Sequence, residues 1–138
     1  MHIIYHCYGG NHSSVTAAYI HLGLLPSTNI PRIKDLIALK QFDKQKSADI
    51  GKIIFIGTDE KNNHVYVLGR KNHPDIIQNV FHELATCFNI NNYLLVDVGQ
   101  YITPFMRIGG FLSRKFGLIQ LGRPIVAKGT MPVSYTHL

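Results

Sequence analysis

Short apolar runs bounded by glycine-rich or polar turns alternate along this chain with segments whose apolar residues recur at helical spacing. Ile3 to Tyr8 is apolar on both faces, the pattern of a central strand. Residues 13 to 23 place Val15, Ala18 and Leu22 on one stripe and end at Gly23, which predicts a helix. After a loop over Leu25 to Pro31, Pro31 at a first helical position predicts a second helix carrying Ile33, Leu36 and Ile37. Residues 43 to 51 are polar. Lys52 to Ile56 and His64 to Leu68 then read as two strands of a hairpin around the turn-rich Gly57 to Asn63. Pro74 to Phe88 predicts a helix, with Ile76, Ile77, Val80, Phe81, Leu84 and Phe88 at helical spacing. Tyr93 to Val98 is a strongly apolar strand. Thr103 and Pro104 open a helix reaching Lys115, Leu118 to Leu121 is a last short strand, and Gly122-Arg-Pro124 begins a further helix.

Strands alternating with helices predict an α/β fold: a single-domain, mostly parallel sheet with helices on both faces and one β-hairpin. Ligands of such sheets sit at the carboxyl ends of strands. That edge receives the turn after the first strand and Asp97 near the end of a later one.

The length agrees with one domain, since 138 residues bury a proper core but are too few for two ordinary ones. With 46% hydrophobic and 16% charged residues the chain is globular, not disordered. No apolar run approaches the roughly 20 residues that span a bilayer, so no membrane partner is expected. The start of the chain lacks the basic and long apolar regions of a secretory signal. Cys7 and Cys87 are its two cysteines and imply no disulfide framework, which fits a cytoplasmic location. The net charge of +6 is unevenly spread. After Asp97 there is no acidic residue, while Arg107, Arg114, Lys115, Arg123 and Lys128 follow. A one-signed segment faces phosphate, nucleic acid or an acidic partner, or is balanced by chain beyond it. No basic run interleaved with aromatics supports the nucleic-acid option.

The last residues change the reading of the end. Val133-Ser-Tyr-Thr-His-Leu138 matches the translation of the transposase end sequence used in sequencing-library adapters. Residues 1–131 are therefore expected to form the α/β domain, truncated at its C-terminus, and 132–138 to be adapter-derived.

The candidate chemistry centres on Gly9-Gly-Asn-His-Ser-Ser14, a strand-to-helix turn. Unpaired N–H groups and the positive end of the helix dipole make such a turn an anion site. It lacks the Gly-Lys-Ser/Thr ending of a nucleotide-binding Walker loop, so a cradle here is built from backbone. The competing reading is purely structural, with Asn11 or Ser13 as the helix cap. Cys7 and Ser14 also echo the cysteine phosphatase loop, but Ser13 stands where that loop has its phosphate-binding arginine. Thiolate and phosphate binding are both weakened without it. His12, beside the helix N-terminus, contacts an anion or exchanges protons. His2 and His6 share a strand face about 13 Å apart, too far for joint ligation, and no metal site is expected. Asp59 and Glu60 fit the solvation of a hairpin connection better than metal or proton chemistry. Asp97 ends an apolar strand as a Walker B aspartate does. Arg107, Arg114 and Arg123 are further candidate anion ligands. The catalytic candidates are thus His12, Cys7 and Asp97, and the sequence does not identify a cofactor.

The set Ile4-Tyr-His6, Gly9-Gly10, His12-Ser13, Ile20-His-Leu22, Leu25-Pro26, Ile50-Gly51, Gly57-Thr-Asp-Glu60, Leu95-Val-Asp97, Ile108 to Arg114 and Gly122-Arg-Pro124 resembles an uncharacterised bacterial family. It is domain of unknown function 3189, mostly from spore-forming Gram-positive bacteria. The resemblance covers the chain to Thr130. It implies a compact α/β protein without an assigned reaction and supplies no catalytic residues. Two functional expectations remain: a protein binding a phosphate-bearing small molecule at Gly9 to Ser14, or a non-catalytic regulatory or partner-binding module whose glycine loop is only structural.

Overall fold

A computed structural model gives the architecture, and it describes residues 1–29 and 31–99. The helices and strand expected after Thr103 lie outside the described residues, as do Arg107, Arg114 and Arg123. In chain order the elements are β1 (His2–Cys7), α1 (Ser13–His21), α2 (Ile33–Ile37), a 3-10 turn (Ser47–Asp49), β2 (Ile53–Thr58), β3 (His64–Gly69), α3 (Pro74–Phe88) and β4 (Tyr93–Asp97). They form an α/β domain around a four-stranded mixed sheet in the order β2-β3-β1-β4. β1 is parallel to both neighbours, with His6 opposite Leu68 on β3 and Asp97 on β4. β2 and β3 make the antiparallel hairpin.

The alternation of β1 divides the two faces. On one face Tyr5, Val65 and Val67 pack with Val15 and Ala18 of α1, and Leu25, Leu36 and Phe42 close this core from outside. Cys7 joins Ala17 and Val98 in a neighbouring cluster. Each of the buried Leu and Phe side chains contributes about 1.5–3 kcal/mol. α1 stops at a Schellman turn. Gly23 (φ 68°) donates its N–H to Ile20 O at 3.0 Å, and Leu24 N–H donates to Tyr19 O at 2.9 Å.

On the opposite face, α3 connects parallel β3 to β4, and the Phe81 and Tyr93 rings lie 6.3 Å apart. Pro74 begins this helix, and Asn89 ends it in the left-handed conformation. Its apolar positions do not form one buried face. Ile77 and Phe81 are half-buried, whereas Ile76, Val80, Leu84 and Phe88 are exposed. Apolar residues at adjacent positions make a stripe wider than one sheet contact covers.

The α2 start also differs from the sequence pattern. Arg32 is the cap, and its N–H donates to Asp35 Oδ2 at 3.2 Å, so Pro31 precedes the helix instead of opening it.

The Asp59-Glu60 connection is structural at Asp59. Its carboxylate accepts from Lys61 N–H at 2.9 Å, Asn63 N–H at 2.8 Å and Asn63 Nδ2 at 2.8 Å. It also lies 2.9 Å from His21 Nε2, whose ring reaches Tyr5 OH through Nδ1 at 2.8 Å. The His21 bond first, then those from Asn63, holds the Asp59 carboxyl well below the usual carboxylate range. A depressed carboxylate stabilises the fold above its unfolded value, about pH 4, and the contribution is lost as pH falls through the folded value. Asp59→Asn is therefore expected to lower the urea midpoint at neutral pH, with the two midpoints converging in strong acid. A pH-independent gap between them would refute this assignment.

Candidate functional site

Three parallel strands bring their carboxyl ends to one edge, and the chain leaves them in different directions. α1 departs from β1 onto one face, and α3 departs from β3 onto the other. Ligands of open α/β sheets bind at such switch points, outside the strand ends. The residues there are the Cys7 to Ser14 loop, Gly69 at the end of β3 with Arg70 just after it, and Asp97 at the end of β4.

The loop is held by close backbone approach. Gly10 has φ 67°, and a Cβ on it would lie 2.5 Å from Gly69 N. A Cβ on Gly69 would lie 2.7 Å from Gly9 O. Arg70 N–H donates to Cys7 O at 3.0 Å and Lys71 N–H to Tyr8 O at 2.8 Å, so the contact with β3 continues past the strands.

A strap over Asp43 to Gln45 secures the loop from the other side. Asn11 Nδ2 donates to Gln45 O at 2.9 Å, and Gln45 N–H donates back to Asn11 Oδ1 at 2.8 Å. Gln45 Nε2 donates to Gly10 O, and Asp43 N–H donates to Asn11 O at 3.1 Å. The Gly10 and Asn11 carbonyls are thus turned toward the strap. His12 Nε2 lies 3.1 Å from Asp43 Oδ1, and its ring packs edge-on against Phe42.

Neither Asn11 nor Ser13 caps α1. The cap residue is His12, without a side-chain cap hydrogen bond, because the Asn11 amide is committed to Gln45. The first intrahelical bond runs from Thr16 N–H to His12 O at 2.8 Å, so the N–H groups of Ser13, Ser14 and Val15 precede the helical ladder. Cys7 Sγ accepts from Gly10 N–H at 3.2 Å and lies 3.3 Å from Ser14 Oγ. Gly9 to Ser14 are all buried, and Cys7 is 3% exposed.

Asp97 belongs to a second cluster, on the other side of β1. Arg70 Nη2 donates to Asp97 Oδ1 at 2.8 Å and Oδ2 at 2.9 Å. Arg70 Nε donates to His6 Nδ1 at 3.0 Å, and Nη1 donates to Lys71 O at 2.8 Å. Gly99 N–H completes the Asp97 shell at 2.7 Å. Burial holds the His6 imidazole below its usual value; Asp97 pulls the other way without reversing it, and Arg70 adds to the lowering.

The structure therefore brings Cys7, Gly9, Gly10, Asn11, His12, Ser13 and Ser14 into one loop and sets Asp97 nearby. Sequence reasoning missed Arg70, Asp43 and Gln45. The one local sign of Arg70 was a cation directly after a strand ending in glycine.

A family model described as "Protein of unknown function (DUF3189)" matches residues 2–138. The chain belongs to the DUF3189 family. No curated protein and no solved structure matches the chain. Among its described residues, no helix is long and apolar enough to cross a membrane.

Proposed function

We propose that this DUF3189 protein binds a phosphate-bearing small molecule at the Gly9–Ser14 loop. The observation that carries the reading is where hydrogen-bonding capacity goes unused. Among the described residues, the buried side-chain polar atoms without a partner are His6 Nε2, Ser13 Oγ, Thr16 Oγ1 and Gln45 Oε1. All four surround the end of β1 and the start of α1. Buried polar atoms are ordinarily paired, and an orphaned cluster implies a missing partner. The uncapped first turn of α1 favours an anion as that partner. Arg70 is not an available ligand, because it is committed to Asp97, His6 and Lys71 O. Recognition within the described residues therefore uses neutral donors, with Arg107, Arg114 and Arg123 as candidates to add charge.

The burial of the loop beneath the Asp43–Gln45 strap favours a second reading, a partner-binding module whose loop is only structural. Thermal melts in phosphate and in chloride at fixed ionic strength separate the two. Phosphate at 100 times its Kd is expected to stabilise by about 2.7 kcal/mol. His12→Gln should leave most of that protection in place, because the His12 ring is held by Asp43 Oδ1, 3.1 Å from Nε2. Equal melting in both salts would leave the module as the function.

A further inference from the structure

We propose that His6 is a ligand-binding residue whose Nε2–H donates to an oxygen acceptor of a phosphate ester lying across the carboxyl end of β1. The inference rests on the phosphate reading of the loop and adds a second contact to it.

The protonation state follows from the partner. An arginine guanidinium only donates and stays charged. Arg70 Nε is 3.0 Å from His6 Nδ1, so Nδ1 must present its lone pair. The imidazole proton of neutral His6 then sits on Nε2. Asp97 Oδ1 is 3.7 Å from the same Nδ1, too far to replace the Arg70 bond. Arg70 is itself fixed by Asp97 and Lys71 O, so the ring cannot readily exchange tautomers. Burial opposes the imidazolium as well.

The result is a donor with nothing to donate to. His6 is 0% exposed, and among the described residues its Nε2 has no hydrogen-bond partner. An unmet buried donor destabilises the fold unless something accepts from it. A histidine locked this way is unsuited to act as a base at Nε2, but it is a pre-oriented donor. Its place favours a ligand role over a packing one. His6 directly precedes Cys7, where the loop begins, and it lies with Arg70 and Asp97 on the face opposite α1. A molecule seated at the switch point meets the loop on one side of β1 and this cluster on the other. The ligand class is a phosphate ester bearing a further hydroxyl or carbonyl oxygen.

The test uses the whole chain with labelled histidine and backbone nitrogen, observed by NMR and titrated with ribose 5-phosphate and, separately, inorganic phosphate. Free His6 is expected in the Nε2–H tautomer near neutral pH. Ribose 5-phosphate should shift both that Nε2–H signal and the Ser13 and Ser14 amides. An Nδ1–H tautomer would overturn the proposal. So would loop amides that respond while the His6 signal stays fixed with both ligands, which would leave a buried water as its partner. Amides silent to both ligands would overturn the loop reading itself, and this inference with it. His6→Phe should bind ribose 5-phosphate about tenfold more weakly, the loss of roughly one hydrogen bond. His6→Gln, which places an amide donor near the same point, should retain most of the affinity.

Discussion

Gly10→Ala is expected to lower stability by about 3 kcal/mol or more, far beyond the same change at Gly23. Both glycines have almost the same backbone angle, φ 67° and 68°. The cost of placing alanine in that conformation, about 1 kcal/mol, is therefore common to both. Their surroundings differ. A Cβ at Gly23 meets nothing within 4 Å, whereas one at Gly10 falls 2.5 Å from Gly69 N and 2.9 Å from both Gly69 Cα and Gln45 Oε1. Gly69 is backbone at the end of a central strand and cannot withdraw without breaking its pairing with β1. The added strain resembles overpacking in a filled core, about 1–3 kcal/mol. The same displacement would pull Gly10 N–H away from Cys7 Sγ and carry the loop out of register with α1, so phosphate protection should vanish too. Urea midpoints of the two variants measure the difference. Equal losses at Gly10 and Gly23 would show that the loop does not depend on this close approach.

That contrast also marks how far the sequence could be read. Strand β1, the hairpin and α3 were legible because their signals are local: an apolar run, a turn-rich connection, and a Pro74 start with helical spacing. Local competition already blurred the start of α2, where the Arg32–Asp35 pairing moved the cap past Pro31. The loop was found as a motif, but its state was not. Asn11 had the side chain of a helix cap. Its amide instead serves Gln45, 34 residues away, through two reciprocal bonds. Nothing in a short window chooses between those partners. Arg70 and His6 are 64 residues apart and meet only because β1 and β3 are adjacent in the register that sets His6 opposite Leu68. Asp97 reads in the sequence only as the end of an apolar strand for the same reason; its arginine arrives from the residue after β3. Contacts fixed by register are legible once the strand order is known, and the order β2-β3-β1-β4 is a property of the whole chain.

Arg70 is where that long-range logic has its largest energetic consequence. Arg70→Met is expected to destabilise by about 3 kcal/mol, the scale of a buried ion pair with one partner removed. The guanidinium side chain is 9% exposed and Asp97 is 26% exposed. Without it, Asp97 keeps only the Gly99 N–H among the described residues, and His6 Nδ1 loses its donor in a fully buried position. Most of the cost is thus the stranding of two polar groups, not the value of the pair itself. The double variant tests this distinction. Adding Asp97→Asn to Arg70→Met removes the unpaired charge and should restore part of the lost stability, giving a coupling clearly different from zero. Arg70→Lys should behave more like Arg70→Met than like wild type. One ammonium cannot reach His6 Nδ1, both Asp97 oxygens and Lys71 O from the positions the planar guanidinium serves. Denaturant midpoints for wild type, Arg70→Met, Arg70→Lys, Asp97→Asn and the double variant decide the matter. Strict additivity of Arg70→Met and Asp97→Asn would mean the cluster does not act as a unit, and the fixed tautomer of His6 would lose its mechanical basis.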